Sequence, residues 1–402
     1  MKWKNKGHEL DYIGKSFADK KKIYIYGAGQ EGRNLFYKLK FLDCVEGFID
    51  ANADKQRMGY LEKPVFAVEE LSGKNKDYLI IVAAGPEIAS RITYKLISNG
   101  YTRGDFYYAN VFINTYLPIY AMYAHDKLVM RLYPQSMTER CTLRCLNCNQ
   151  STPYIKNPLH FSKEAFKADL DLFFQYVDYI YQADFVGGEP FTHPDLYDLM
   201  EYAAVHYRDR MGAMHIITNG TISPSDEILR LALKYDIAMI ITDYSITVPE
   251  VEGKVRNFID KLQKYHVRYI LNGDKYWKDY AIGRANLEFS GEEDKIRHFD
   301  NCTTPCRYMR DGRLYYCTSD ALGQRAGLVP RDEQSYIDFT QLTHEKRMEV
   351  LEFEYGYLEK GYLDTCTKCY GSWTFNTKNI PKGIQYKGAG TLTLEKRVEI
   401  NE

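Results

Sequence analysis

The chain has 402 residues, 45% of them hydrophobic and 27% charged, with a formal net charge of −1. This suits a globular protein of two or three domains, and it excludes a charge field that would draw the chain to nucleic acid or anionic lipid. No run of about eighteen apolar residues offers a membrane span, and the opening MKWKNKGHELDYIG lacks the apolar core of a signal peptide.

Nine cysteines, an odd number without a secretion signal, point to a reducing cytoplasm and to thiols used as metal ligands or catalysts rather than in disulfides.

A first block runs over residues 1–112. KKIYIYGAGQEGRNLFYKL reads as a strand, a glycine turn and an amphipathic helix, VEGFID as a second strand, YLIIVAAG as a third, and EIASRITYKLI as another helix. Strands alternating with helices predict a parallel sheet covered on both faces. Gly27, Gly29 and Gly32 form GxGxxG between strand and helix, and Asp50 ends the next strand at the distance of an acid that binds a ribose hydroxyl. Two readings stay open: a nucleotide site, or glycines needed by the strand–helix turn alone. Cys44 reads as a small buried hydrophobe. The aromatic stretch VFINTYLPIYAMYAHD is expected to pack as a helix between domains.

The second block, residues 126–300, alternates again. KLVMRLY is a strand leading into a cysteine-rich loop, and Phe166, Leu170, Phe173, Phe174 and Val177 recur at helical spacing. ADFVGGEP is a strand ending in a glycine turn; MHIITNG, IAMIITDYS and VRYIL follow as strands with helices between them. Repeated βα units predict a barrel or partial barrel, whose ligands bind at the carboxyl ends of the strands. The cysteine loop, GGEP and TNG each follow a strand and so fall on one face. The third block, residues 301–402, has little helix–strand rhythm but holds five cysteines; DGRLYYC reads as a strand pair closing on Cys317, with Asp311-Gly312 as its turn. His193 reads as a turn residue, and Trp277 and Trp373 as packing.

In RCTLRCLNCNQ the thiols Cys141, Cys145 and Cys148 are spaced C-x3-C-x2-C. Structural zinc takes four ligands, usually paired CxxC units; here no fourth Cys or His lies nearby. Three thiolates can hold three irons of a cubane and leave the fourth open to an exogenous chelating ligand. This loop, with Gly187-Gly188-Glu189-Pro190 and Thr218-Asn219-Gly220 in that order, resembles the signature of the radical S-adenosylmethionine (radical SAM) superfamily. The resemblance covers about residues 126–300. It implies a 4Fe–4S cluster whose open iron binds the amino and carboxylate groups of SAM. It also implies that Gly187, Gly188 and Glu189 meet the SAM ammonium, and that Thr218 and Asn219 meet its ribose or carboxylate. Thr242 and Asp243 form a second candidate pair. The family commonly has an aromatic residue before the third cysteine; here it is Asn147.

Cys302, Cys306, Cys317, Cys366 and Cys369 resemble the auxiliary-cluster extensions called SPASM and Twitch domains. Five cysteines fit the one-cluster Twitch form, with Cys317, Cys366, Cys369 and either Cys306 or Cys302 as ligands of a second iron–sulfur cluster; structural zinc is the alternative. The first block looks like a Rossmann-like domain of sugar-nucleotide enzymes. The expected fold is α/β: an N-terminal Rossmann-like sheet, a central partial (β/α)6 radical SAM barrel, and a small irregular iron–sulfur domain. The resemblance implies an enzyme that cleaves SAM and takes a hydrogen atom from a sugar, nucleotide sugar or glycan precursor. A flavodoxin or ferredoxin would supply electrons. The alternatives are a peptide-modifying maturase and a non-catalytic Fe–S or zinc sensor.

Overall fold

The computed structural model describes residues 1–72, 77–302, 307–371 and 376–399. Cys306 and Trp373 lie outside these. The chain forms two compact units, residues 7–129 and residues 1–6 with 130–402. The expected second and third blocks therefore share one unit, and residues 1–6 join it: Lys2 bridges to Leu358, and Trp3 N–H donates to the Leu358 carbonyl at 2.9 Å.

The unit of residues 7–129 is built on β1 (Lys22–Tyr26), β2 (Val45–Ile49), β3 (Val65–Phe66), β4 (Tyr78–Val82) and β5 (Phe106–Tyr108). Their order is β3-β2-β1-β4-β5 and every pairing is parallel. This order occurs in doubly wound α/β sheets. The five residues of β4, YLIIV, are all buried, as a central strand covered on both faces requires. The aromatic stretch is helical: Leu117–His125 is buried on nearly all sides. It belongs to this unit, where Tyr123 Oη donates to Asp11 at 2.6 Å and Tyr120 packs edge-on against Phe17.

The second unit carries β6 (Val129–Ser136), β7 (Tyr179–Val186), β8 (Met211–Thr218), β9 (Ile237–Thr242) and β10 (Tyr269–Asn272) in the order β10-β9-β8-β7-β6. β7, β8, β9 and β10 pair in parallel. Helices Lys163–Tyr176, Leu196–Tyr207, Asp226–Tyr235 and Glu252–Lys264 fall between the strands. Two of them start on serine caps: Ser162 Oγ accepts from Ala165 N–H at 3.1 Å and Ser225 Oγ from Ile228 N–H at 3.3 Å.

The expectation of six βα units is corrected here. Among the described residues the sheet has five strands. The next strand, β11 (Tyr276–Lys278), instead pairs antiparallel with a late strand at Asn379–Pro381. Residues 301–402 also hold more regular structure than their sequence suggests, including helices Thr318–Ala326 and Arg347–Glu354. Strands β12 (Tyr308–Arg310), β13 (Arg313–Tyr315) and β14 (Tyr336–Asp338) form an antiparallel meander. The Asp311-Gly312 turn stands where the sequence puts it. Both residues have positive φ, +50° and +74°, as a two-residue hairpin needs. The Asp169 carboxylate fixes that turn, accepting from the N–H groups of Asp311 (3.0 Å) and Gly312 (2.7 Å).

Candidate active site

Three loops meet at the carboxyl ends of β6, β7 and β8. The chain leaving β6 stays beside the end of β7. Met137 N–H donates to the Val186 carbonyl (2.8 Å), Gly188 N–H to Thr138 (2.7 Å) and Glu189 N–H to Arg140 (2.7 Å). This ladder leaves no room for side chains. A Cβ on Gly187 would stand 2.6 Å from the Thr138 carbonyl oxygen, and one on Gly188 would overlap the Arg140 carbonyl. The neighbouring loop therefore demands both glycines before any ligand arrives.

Glu189 is fully buried. Its carboxylate accepts from Thr218 Oγ1 (2.8 Å), Asn219 N–H (2.7 Å) and Phe191 N–H (3.1 Å), so it ties the GGEP loop to the TNG loop. Burial pushes its pKa up to about 7 against the pull of these three donors. Glu189→Ala strands buried donors at a cost of about 1–3 kcal/mol each. Equilibrium urea unfolding of this variant should show the loss; a midpoint equal to the parent's would mean that the carboxylate is not the tie.

The TNG loop in turn reaches the first cysteine. Asn219 Nδ2 donates to Thr142 Oγ1 (3.0 Å) and lies 3.7 Å from Cys141 Sγ. Leu143 N–H donates to Cys141 Sγ at 3.4 Å, and Gln385 Nε2 to Cys145 Sγ at 3.2 Å. Cys141, Cys145, Cys148, Gly187, Gly188, Thr218, Asn219 and Thr242 all line one cavity of about 420 Å³. Burial raises the Cys141 thiol well above its ordinary range and Cys145 to about 12. Three thiolates here would need a cation to offset that burial.

The radical SAM superfamily model matches residues 136–284. This stretch is a radical SAM domain. Members of that superfamily are enzymes that use a 4Fe–4S cluster and SAM. No curated protein matches the chain. Among solved structures the chain is similar to BtrN in complex with AdoMet and 2-DOIA, at 14% identity, 60% of this chain, 94% of that one and a TM-score of 0.38. It is similar to anSMEcpe with bound AdoMet and a Kp18Cys peptide, at 12% identity, 56% and 84% coverage and a TM-score of 0.37. It is also similar to Streptococcus suis SuiB bound to S-adenosylmethionine, at 14% identity, 52% and 48% coverage and a TM-score of 0.29.

Other expected residues of the radical SAM domain divide. Thr242 lines the cavity, whereas the Asp243 carboxylate caps its own turn by accepting from Ser245 N–H at 2.8 Å. Pro190 opens the short helix Pro190–Thr192 that follows the glycine loop. Asn147 Oδ1 accepts from Arg284 (3.1 Å) and Arg397 (3.0 Å). His193 is structural, bridging the Phe161 carbonyl (2.9 Å) and Asp195 N–H (3.0 Å).

Cys302, Cys317, Cys366 and Cys369 line a second, smaller cavity of about 40 Å³. Of the two alternatives for the fourth thiol, Cys302 is thus brought to the other three, while Cys306 lies outside the described residues. Burial raises Cys317 and Cys366 far above the usual thiol range and Cys369 to about 12. Tyr280 and Ser319 line both cavities.

In the first unit the glycines serve the turn. Gly27 has φ +119°, and a Cβ there would stand 2.6 Å from the Ala83 carbonyl oxygen; a Cβ on Gly32 would overlap the Gly27 carbonyl, whereas Gly29 faces open space. The Asp50 carboxylate is already engaged by Ala28 N–H, Asn52 N–H and Lys55 Nζ, each at 3.0 Å. It holds its own loop.

Sequence reasoning missed further residues of the main cavity. Trp277, taken as packing, lines it beside Lys278 and stands edge-on to Tyr244 at 5.6 Å. Asp184, on β7 two residues before Val186, also lines it. His215 Nδ1 lies 2.9 Å from Asp184 Oδ1, and Gln182 Nε2 donates to both carboxylate oxygens at 3.0 and 2.8 Å. The signal was the period of two: Gln182, Asp184 and Val186 share a strand face.

Proposed function

We propose that the protein is a radical SAM enzyme that takes a hydrogen atom from a polyhydroxylated substrate, a sugar or glycan precursor. One observation carries this reading: three thiols of one loop, Gly187, Gly188 and Asn219 line a single cavity. Cys141, Cys145 and Cys148 would hold the SAM-binding 4Fe–4S cluster, with SAM seated against Gly187, Gly188, Thr218, Asn219 and Thr242. When bound, the cluster and SAM supply one-electron cleavage and a carbon radical that abstracts hydrogen. The chain's own part is to fix the three loops in register and to exclude water with the aromatic wall. The substrate class is supported by the rest of the lining. Tyr244, Tyr276, Trp277 and Tyr280 offer flat apolar faces, and Asn149, Asn272 and Lys278 offer hydrogen bonds.

Cys302, Cys317, Cys366 and Cys369 would hold a second iron–sulfur cluster in the manner of a Twitch domain, in line with their standing around a void. Among the described residues no three His, Cys, Asp or Glu side chains gather as one metal ion requires. With all four thiols on the protein, that cluster would pass electrons across Tyr280 and Ser319. A nucleotide role for the first unit has less support, because Asp50 is engaged. The electron donor would be a flavodoxin or ferredoxin in the cytoplasm. Among the described residues no helix is long and apolar enough to cross a membrane.

Anaerobically reconstituted protein should hold about eight irons, four in each cluster, and release 5′-deoxyadenosine from SAM when reduced. Zinc alone, or iron whose spectrum ignores added SAM, would overturn the reading. For the substrate, free sugars, nucleotide sugars and short peptides can be compared as thermal stabilisers of the full chain. Stabilisation by sugars that is lost in Trp277→Ala is expected; stabilisation by peptides alone would remove the sugar assignment.

A further inference from the structure

The C-terminal segment lies across the cysteine loop as a strap. Leu146 N–H donates to the Ile384 carbonyl (2.8 Å), Tyr386 N–H to Arg144 (2.7 Å) and Leu392 N–H to Pro153 (2.9 Å). Arg144 reaches the carbonyls of Gly388 (2.7 Å) and Gly390 and lies over the Tyr386 ring. Leu146, Tyr154, Tyr386 and Leu392 form a small buried cluster beneath. Gly383 turns the strap at φ +75°, where a Cβ would overlap the Tyr244 ring.

The strap delivers one side chain to a cluster ligand. Gln385 Oε1 accepts from Arg144 N–H at 2.7 Å, and Gln385 Nε2 donates to the Gly383 carbonyl at 2.6 Å and to Cys145 Sγ at 3.2 Å. The orientation of this amide is fixed by its partners. A backbone N–H can only donate and a carbonyl can only accept, so the NH₂ group must face the sulfur. We infer that Gln385 is a positioning residue of the radical SAM cluster, whose N–H···S hydrogen bond to Cys145 raises the reduction potential of that cluster. This rests on the assignment of Cys145 as a cluster ligand. A hydrogen bond to a ligating sulfur stabilises the extra negative charge of the reduced state, and such bonds are among the protein's means of setting Fe–S potentials.

The test is a redox titration of the anaerobically reconstituted full chain, followed by the electron paramagnetic resonance signal that shifts on adding SAM. The parent is compared with Gln385→Leu and Gln385→Glu. The strap's backbone hydrogen bonds to Arg144 and Leu146 do not use this side chain, so the strap should stay in place. Gln385→Leu should lower the ratio of reduced to oxidised cluster at a fixed poise about tenfold, which for one electron is a shift of about 59 mV to more negative potential. Gln385→Glu, which turns an anionic oxygen to the sulfur, should lower it further. Equal potentials in all three proteins would overturn the role of Gln385 and leave the cluster assignment standing. A parent protein without any SAM-responsive signal would instead overturn the cluster assignment, and this inference with it.

Discussion

Cys145→Ala is expected to abolish release of 5′-deoxyadenosine from SAM and to cut the iron of reconstituted protein from about eight to about four. The two thiol sites make this a clean subtraction. Cys141, Cys145 and Cys148 line one cavity, and Cys302, Cys317, Cys366 and Cys369 line another. Two thiolates cannot hold three irons, so the first site empties, while the second keeps its four donors. Cys44→Ala is the matched control. Cys44 is a buried thiol of the first unit, raised to about 12 by burial, and its loss should change neither iron content nor cleavage. Full cleavage by Cys145→Ala would mean that the loop is not the ligand set. A fall to zero iron would mean that the C-terminal thiols do not hold a cluster of their own.

What the sequence made legible was the part governed by local rules. The cysteine spacing, the glycine turns after strands and the Asp311-Gly312 hairpin all depend on a few adjacent residues, and the structure has them where they were expected. The same-face argument held because the carboxyl ends of parallel strands must share one side of a sheet. What stayed hidden depends on long-range pairing. Glu189 looked like a ligand for an ammonium, yet its carboxylate is taken up by Thr218 and Asn219, some thirty residues on. Asp50 looked like a ribose acid, yet it closes its own glycine loop. Gln385 lies 240 residues from Cys145, and no local pattern marks it. The irregular look of residues 301–402 came from short elements, such as three-residue strands, whose period is too brief to read.

Gly188→Ala is the second large effect, because here the crowding comes from backbone rather than from a flexible side chain. The added Cβ would overlap the Arg140 carbonyl and stand 3.0 Å from Cys141 Cβ. The Arg140 carbonyl cannot retreat without lengthening its 2.7 Å bond from Glu189 N–H, and Gly188 itself is held to Thr138 at 2.7 Å. Overpacking of this kind costs about 1–3 kcal/mol, and each broken hydrogen bond adds about 1 kcal/mol. A loss of roughly 3 kcal/mol is therefore expected, together with a displaced Cys141 and loss of iron from the first site. Gly253→Ala gives the opposite sign within the same unit. That glycine is exposed near the start of helix Glu252–Lys264 with nothing within 4 Å of its would-be Cβ, so alanine should stabilise by about 0.5–1 kcal/mol. Urea unfolding without iron or SAM separates the two reasons for a glycine at 188. A penalty already present in the metal-free protein places the cause in the Arg140 loop. Parent-like stability with SAM binding alone lost would place it in the ligand.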